Sequence, residues 1–329
     1  MGVPGVRIGR KGEGDGLRDV RRAPHAGWER HYPTDIKEHG PGVPSASLET
    51  TKVVTTMAFD KVDAQHAFLD LSDYARPLAR IVTRVLVPTP ISPIHVTLLY
   101  TAIGLAAGAL YATGEAGDAA LAGVCLVIKS FLDAIDGSLA RARNRPSRVG
   151  RFLDSVCDYF VNAAVLLGIG SALAARTGSG WPIVTALVAL EVMTWHGTAF
   201  NYYYVTYRHL TGGDTTSQAR ERGDNLYPWD HPAALKIVYT LYRLIYAWQD
   251  RWMGALDRRV AGRPASTVYR DKHLLTLTTV MGLGFQLLLF AALSWIGRAE
   301  WIFGLILGPY NLYWLGLMIY RRHRSRQYL

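Results

Sequence analysis

Residues 131–160 read FLDAIDGSLARARNRPSRVGRFLDSVCDYF. The stretch joins the end of one apolar segment to the start of the next. The turn between them carries Arg141, Arg143, Arg145, Arg148 and Arg151 and no acid. Two acids stand before the turn, Asp133 and Asp136, and two after it, Asp154 and Asp158. At about 100° per residue, Asp133, Asp136, Gly137, Ala140 and Arg141 share one helical face, while Gly150, Asp154 and Asp158 form an i, i+4, i+8 stripe on the next helix. The turn makes the two helices antiparallel, so these faces oppose each other. Four converging carboxylates repel unless a cation neutralises them, and hard divalent ions such as Mg2+ or Mn2+ prefer such oxygen ligands. A pair of metal ions held this way needs a substrate to complete its coordination, and a diphosphate fits. Gly137 and Ala140 leave room for a ligand against the backbone, and Arg141 can neutralise phosphate. A solvated loop of acids paired with arginines does not explain two helical stripes with small residues on the same face.

Outward from this stretch, the chain of 329 residues holds six apolar segments, at 94–113, 118–138, 152–175, 181–204, 274–296 and 300–320. Each has about 20 residues, enough at ~1.5 Å per residue to cross a ~30 Å hydrocarbon core. The second and third carry acids near one end. The expected fold is therefore all-α, a polytopic membrane protein with six transmembrane helices. A mean hydropathy of only +0.08 and 50% hydrophobic residues conceal these blocks, because polar stretches dilute them. Two cysteines, Cys125 and Cys157, exclude a disulfide-stapled scaffold or a zinc ribbon. Cys157, beside Asp158, reads as a packing residue rather than a nucleophile.

The remaining segments organise around the spans. Residues 1–60 form a polar N-terminal extension, rich in Gly, Pro and Arg and lacking a signal-peptide apolar region; poor order in isolation is expected. Residues 61–329 form the membrane domain. From Ala64 to Val87, apolar residues recur at helical spacing among Asp70, Asp73, Arg76, Arg80 and Arg84, which predicts an amphipathic helix on the membrane surface. The 206–271 connection is long for a helix-to-helix link. Between Ala233 and Val260 it predicts a second surface helix, as an amphipathic cytoplasmic insertion with aromatics at headgroup level. Gly104 and Gly108, four residues apart, allow a close helix contact.

The net charge of +10 is sided. The 140–151 turn, the 206–271 insertion and the tail with Arg321, Arg322, Arg324 and Arg326 are basic, whereas the opposite connections carry only Arg176 and Arg298. The positive-inside rule then puts both termini and the four aspartates on the cytoplasmic side of an integral membrane protein, in a bacterial-type inner or plasma membrane. Basic segments that flank spans need no nucleic acid, so no nucleic-acid partner is expected. Lys129, one turn before Asp133, can pair with that carboxylate, touch a phosphate or snorkel to the interface. Glu191, His196 and Asn201 in the fourth span are candidates for an acceptor pocket or for inter-helix hydrogen bonds. Arg208, Lys272 and His273 are candidates for binding an acceptor phosphate.

At these residues the sequence resembles the CDP-alcohol phosphatidyltransferases, whose signature D-x2-D-G-x2-A-R-x8-G-x3-D-x3-D is met by Asp133, Asp136, Gly137, Ala140, Arg141, Gly150, Asp154 and Asp158. The resemblance covers about residues 64–320, not residues 1–60, and the 206–271 insertion is atypical of it. It departs before the first span, where the family often has Pro-Asn-x-x-Thr and this chain has Pro93-Ile94-His95-Val96-Thr97. The resemblance implies transfer of a phosphatidyl group from a CDP-linked lipid such as CDP-diacylglycerol to the hydroxyl of a small alcohol, releasing CMP, in phospholipid biosynthesis. It further implies a two-metal Mg2+ or Mn2+ site on Asp133, Asp136, Asp154 and Asp158, with Asp158 also the general base. Asp133, Gly137, Ala140, Arg141 and Gly150 would hold the nucleotide and diphosphate, and a homodimer is an expectation of the resemblance alone. Two rival readings are weaker. An intramembrane prenyltransferase also binds metal-diphosphate through aspartates, but its chemistry does not call for Gly137, Ala140, Arg141 and Gly150. A divalent-cation transporter calls for acids near the midplane on broken helices.

Overall fold

A computed structural model describes residues 59–219, 221, 223, 226–261 and 268–327. The polar extension expected over residues 1–60 lies outside them, except for its last two residues. Among the described residues the regular structure is entirely helical. We number the α-helices α1 (Arg76–Leu86), α2 (Pro93–Ala112), α3 (Ala116–Ala142), α4 (Arg148–Thr177), α5 (Trp181–Leu210), α6 (Pro232–Ile245), α7 (Ala247–Ala261), α8 (Lys272–Thr278), α9 (Leu283–Trp295), α10 (Trp301–Leu307) and α11 (Pro309–Gln327).

The chain is an all-α, multi-spanning membrane protein. α2, α4, α5 and the continuous stretch Trp301–Gln327 are each long and apolar enough to cross a bilayer, and the bent pair Lys272–Met281 and Leu283–Trp295 makes a fifth if counted as one span. α3 has the length, at 27 residues, but its charged side chains lower its hydropathy. Two of the six apolar segments are not the straight helices their composition suggests. The segment at 274–296 bends by 46° at Gly282, where the turn Leu71–Asp73 crosses it: Leu71 N donates to Thr279 Oγ1 at 3.1 Å, and Ser72 lies against Gly282 and Gly284. A glycine gives the passing backbone room that a side chain would fill. The segment at 300–320 is interrupted at Gly308–Pro309, where proline lacks an amide, yet runs on as one stretch to Gln327.

The surface elements also differ from the even periodicity of the sequence. Between Ala64 and Asp73 only two short 3-10 turns form, and regular α-helix begins at Arg76 with Pro77 in its first turn. Leu78, Ile81 and Val85 of α1 point outward, while Ala79 and Thr83 pack inward. The insertion holds two helices rather than one, meeting at Tyr246. α6 buries Leu235 and Tyr242 against Phe152 and Val156 of α4. α7 docks on α5 through Thr198–Gln249 at 3.0 Å and Tyr203–Asp257 at 2.8 Å.

Lipid tails are as apolar as leucine, so close packing rather than exclusion of water holds such helices together. The α2–α4 crossing shows it. A Cβ on Gly104 would strike Val161, one on Gly108 would meet the backbone carbon of Ala164 at 2.6 Å, and Gly168 lies on the carbonyl of Gly108. The Gly104–Gly108 pair thus sits at a backbone-to-backbone contact. Ala107, Leu126, Val161, Leu166, Leu190 and Phe290 fill the core around it.

Two caps fix the turn between α3 and α4. Asn144 takes a left-handed conformation (φ 48°), which its short polar side chain tolerates. Arg143 reaches back to α1 and donates to the carbonyls of Leu86 and Thr89 (both 2.7 Å), Ile91 (2.7 Å) and Val87 (3.2 Å). The guanidinium satisfies carbonyls at the α1 terminus that no helical amide can reach.

Candidate active site

The signature residues converge because α3 and α4 run antiparallel from one tight turn. One carboxylate oxygen from each of Asp133, Asp154 and Asp158 lies within 4.8 Å of the others. Asp136 lines the same cavity but stands outside that group, held by the Thr97 hydroxyl at 2.6 Å. An all-oxygen set of this spacing suits a hard divalent cation.

Each carboxylate has a second group that aims it. Tyr100 of α2 donates to Asp154 Oδ1 at 2.6 Å, and Thr97, one turn earlier, holds Asp136. Lys129 is fully buried; its ammonium donates to Asp133 Oδ2 at 2.9 Å and to Asp158 Oδ1, 4.7 Å above the Tyr100 ring. Of the options the sequence leaves open for Lys129, pairing is the one observed. Tyr100 has no obvious sequence signal until Thr97, Tyr100, Gly104, Ala107 and Tyr111 are read as one helical face at spacings of three and four.

The carboxylates open into a cavity of about 810 Å³. Gly137, Ala140, Arg141 and Gly150 all line it. Packing does not require these glycines. A Cβ on Gly150 would meet only Ser147 Oγ at 3.4 Å and Ile94 at 3.9 Å, and one on Gly137 only the end of the Arg141 side chain. Their missing side chains widen the cavity instead. Gly150 N donates to Ser147 Oγ at the α4 N-terminus, and Asp230 accepts from Ser147 Oγ and from Arg148 N at 2.8 Å. The insertion thereby closes the start of the signature helix.

At one end of the cavity, cations outnumber acids. Lys61, Arg76, Arg141 and Arg208 line it against three acids: Asp70, Asp73 paired to Arg76, and Asp214 lying 3.8 Å from Arg141 and 3.6 Å from Arg208. Arg208 is 3% exposed, and its Nε has no hydrogen-bond partner among the described residues. Burial, with Arg76 next in effect, pushes the Lys61 ammonium down to about 8. Burial works against the Asp214 carboxylate, yet Arg208 and the Thr216 amide hold it below the usual range. Such a pocket attracts an anion.

The other candidates separate. Asn201 lines the cavity. Glu191 instead accepts from Tyr159 at 3.0 Å, and His196 faces Asn311 of α11 at 3.2 Å. Lys272 donates to the Gln65 carbonyl at 2.9 Å, and neither it nor His273 reaches the cavity. Cys157 is buried in packing. Lys61 and Arg76 carry no local signal in the sequence, because the fold alone brings them beside Arg208.

A family model described as CDP-alcohol phosphatidyltransferase matches residues 87–306, more than half of the chain. An archaetidylinositol phosphate synthase of Methanothermobacter thermautotrophicus is 28% identical over 175 residues, covering 47% of this chain and 82% of the relative. Another, from Pyrococcus horikoshii, is 51% identical over 49 residues, covering 15% of this chain and 26% of the relative. A bifunctional IPC transferase and DIPP synthase of Aquifex aeolicus is 42% identical over 82 residues, covering 24% of this chain and 18% of that protein.

Proposed function

The chain belongs to the CDP-alcohol phosphatidyltransferase family, and from that membership we propose that it moves the phosphatidyl group of a CDP-linked lipid onto a hydroxyl of a phosphorylated polyol, releasing CMP. It is an enzyme of the CDP-alcohol phosphotransferase type. The cationic end of the cavity carries the choice of acceptor. Lys61, Arg76, Arg141 and Arg208 there stand over three acids, Asp70, Asp73 and Asp214, and a phosphate offers an acceptor atom to the unsatisfied Arg208 Nε. An amino alcohol would bring a positive charge into the same pocket. The product named for two relatives, archaetidylinositol phosphate, is likewise phosphorylated.

In this reading α3 is a crossing helix despite its charges, because they face inward: Lys129 is fully buried and Asp136 is 6% exposed. With α2, α4, α5, the bent pair α8–α9 and the broken pair α10–α11, that makes six spans. α1 lies at the membrane surface on Leu78, Ile81 and Val85, and the basic turn faces the cytoplasm.

Asp133, Asp154 and Asp158, with Asp136 beside them, would hold Mg2+ or Mn2+, which when bound neutralise the diphosphate and the departing CMP. Thr97 and Tyr100 keep Asp136 and Asp154 aimed at that position, while Lys129 balances the charge of Asp133 and Asp158. The space left by Gly137, Ala140 and Gly150 takes the nucleotide, and Arg141 faces its phosphates. Asp158 removes the proton from the acceptor hydroxyl as that oxygen attacks the lipid-bearing phosphorus. The new P–O bond forms in line with the P–O bond to CMP, which breaks. A positioned base of this kind contributes about 10²–10⁴-fold.

Purified protein in micelles, given Mg2+ or Mn2+ and CDP-diacylglycerol or its archaeol counterpart, should release CMP with inositol 1-phosphate or glycerol 3-phosphate and much less with inositol or serine. CMP release that ignores the acceptor phosphate would overturn the assignment of the cationic pocket. No acceptor-dependent release at all would overturn the transferase reading.

A further inference from the structure

The 232–261 helix pair does more than fill the insertion, because one stripe of it lines the cavity. Tyr242, Tyr246 and Asp250 follow at intervals of four across the α6–α7 junction, and all three face the cavity. The two tyrosine rings stack at 5.1 Å. Tyr242 donates its hydroxyl to Asp250 Oδ2 at 3.0 Å, and Tyr246 donates to the Ser155 carbonyl at 2.9 Å. Ser155 stands between Asp154 and Asp158 in sequence, so this hydroxyl is fastened to the helix that bears two of the site carboxylates. The α6 side packs on α4 and the α7 side on α5. The helix pair is therefore a wall bridging α4 and α5 beside the carboxylates.

We propose that Asp250 is the acceptor-selecting residue of this wall, taking hydrogen bonds from the non-reacting hydroxyls of a polyol acceptor whose phosphate lies in the cationic pocket. The inference rests on the transferase reading above. Tyr242 occupies one carboxylate oxygen of Asp250, and a carboxylate has further lone pairs to offer. The chemistry around Asp250 favours hydroxyls over an ammonium group. Arg151 of α4 lines the same cavity and supplies a positive charge, held by Glu221 at 3.7 Å and by the Ser217 hydroxyl at 2.8 Å. Hydroxyls ask for a hydrogen-bond acceptor without adding charge. A ring with several hydroxyls uses such a wall, whereas a short diol has only one hydroxyl left after the reacting one.

The test compares acceptor kinetics of wild type, Asp250→Asn, Asp250→Ala and Tyr242→Phe, each with inositol 1-phosphate and with glycerol 3-phosphate as probe. Loss of a hydrogen bond to a charged group weakens binding by about tenfold or more. We expect Asp250→Ala to raise KM for inositol 1-phosphate by at least about that factor. KM for the CDP-lipid should stay within about twofold, which also verifies folding. Asp250→Asn, which keeps the shape and one acceptor oxygen, should fall between. KM for glycerol 3-phosphate should change less, so the preference between the two probes should narrow. Wild-type turnover with an unchanged acceptor preference in Asp250→Ala overturns this inference alone. A parallel rise in both acceptor KM values and in the CDP-lipid KM also overturns it, since that marks a structural role. Failure of the wild type to release CMP with any acceptor overturns the transferase reading, and this inference with it.

Discussion

Lys129 offers a test in which two measurements should move in opposite directions. Its ammonium is fully buried and bridges Asp133 and Asp158, whose side chains are 32% and 15% exposed. Replacing it by Gln keeps most of the volume and removes the charge, leaving three neighbouring carboxylates without their internal cation. Breaking a buried pair by removing one partner costs about 3–5 kcal/mol. Water reaching Asp133 screens part of this loss, so the lower end, about 3 kcal/mol, is expected. In a protein of this size that corresponds to a fall in Tm of about 4–5 °C. The same change removes a positive charge that repels a divalent ion from Asp133 and Asp158. Lys129→Gln should therefore be destabilised in EDTA, bind Mg2+ more tightly than wild type, and recover much of the lost Tm as Mg2+ is added. Thermal unfolding in micelles across a Mg2+ titration reads both effects. An equal fall in Tm at every Mg2+ concentration would refute the idea that these carboxylates form a cation site with Lys129 as its resident competitor.

Two further outcomes follow from local geometry. Gly150→Ala should leave stability unchanged or raise it by up to ~1 kcal/mol, because alanine is the better helix former and its Cβ makes only ordinary contacts with Ser147 and Ile94. Its KM for the CDP-lipid should nevertheless rise, and an unchanged donor KM would show that the space beside Gly150 is not used by the nucleotide. Asp250 supplies a pH test: burial pushes its carboxyl from 3.8 up to about 7, with Glu221 adding to this while Tyr242 and Arg151 oppose it. A carboxyl raised on folding takes up a proton in that window, so the folded state loses stability as pH climbs from the unfolded value through the folded one. Asp250→Asn has no such proton, so its stability relative to wild type should increase between about pH 4 and pH 8. A difference that stays constant with pH would contradict the burial of this group.

What could be read directly from the sequence was whatever depends on neighbours along the chain. Asp133 and Asp136, then Asp154 and Asp158, lie on consecutive helices joined by a short turn, so spacing alone brings them face to face. The apolar segments were visible for the same reason. Their breaks were not: the bend at Gly282 is shaped by Ser72, more than 200 residues earlier, and no local pattern reports that contact. The sequence places an apolar segment at 118–138 despite its charges, and in the fold Lys129 of α3 is satisfied by Asp133 and Asp158. The insertion read as a single surface helix because its periodicity continues through Tyr246; the fold divides it there to pack one half on α4 and the other on α5. In the cationic pocket Arg141 and Arg208 were legible as phosphate candidates, whereas Lys61 and Arg76 were not, because the fold alone brings them there.

The glycine crossing between α2 and α4 has a consequence for the chemistry that neither helix shows by itself. Gly104, Gly108 and Gly168 bear no reactive group, yet their interlocking leaves α2 little freedom to slide along its axis against α4. Tyr100 lies eight residues from Gly108, about 12 Å along the helix, and its hydroxyl meets Asp154 only at this axial setting. The glycines thus act as a detent. They hold the register at which a phenol from one helix and a carboxylate from another come together, so a methyl group added at Gly108 would be felt a dozen ångströms away as a mis-aimed ligand.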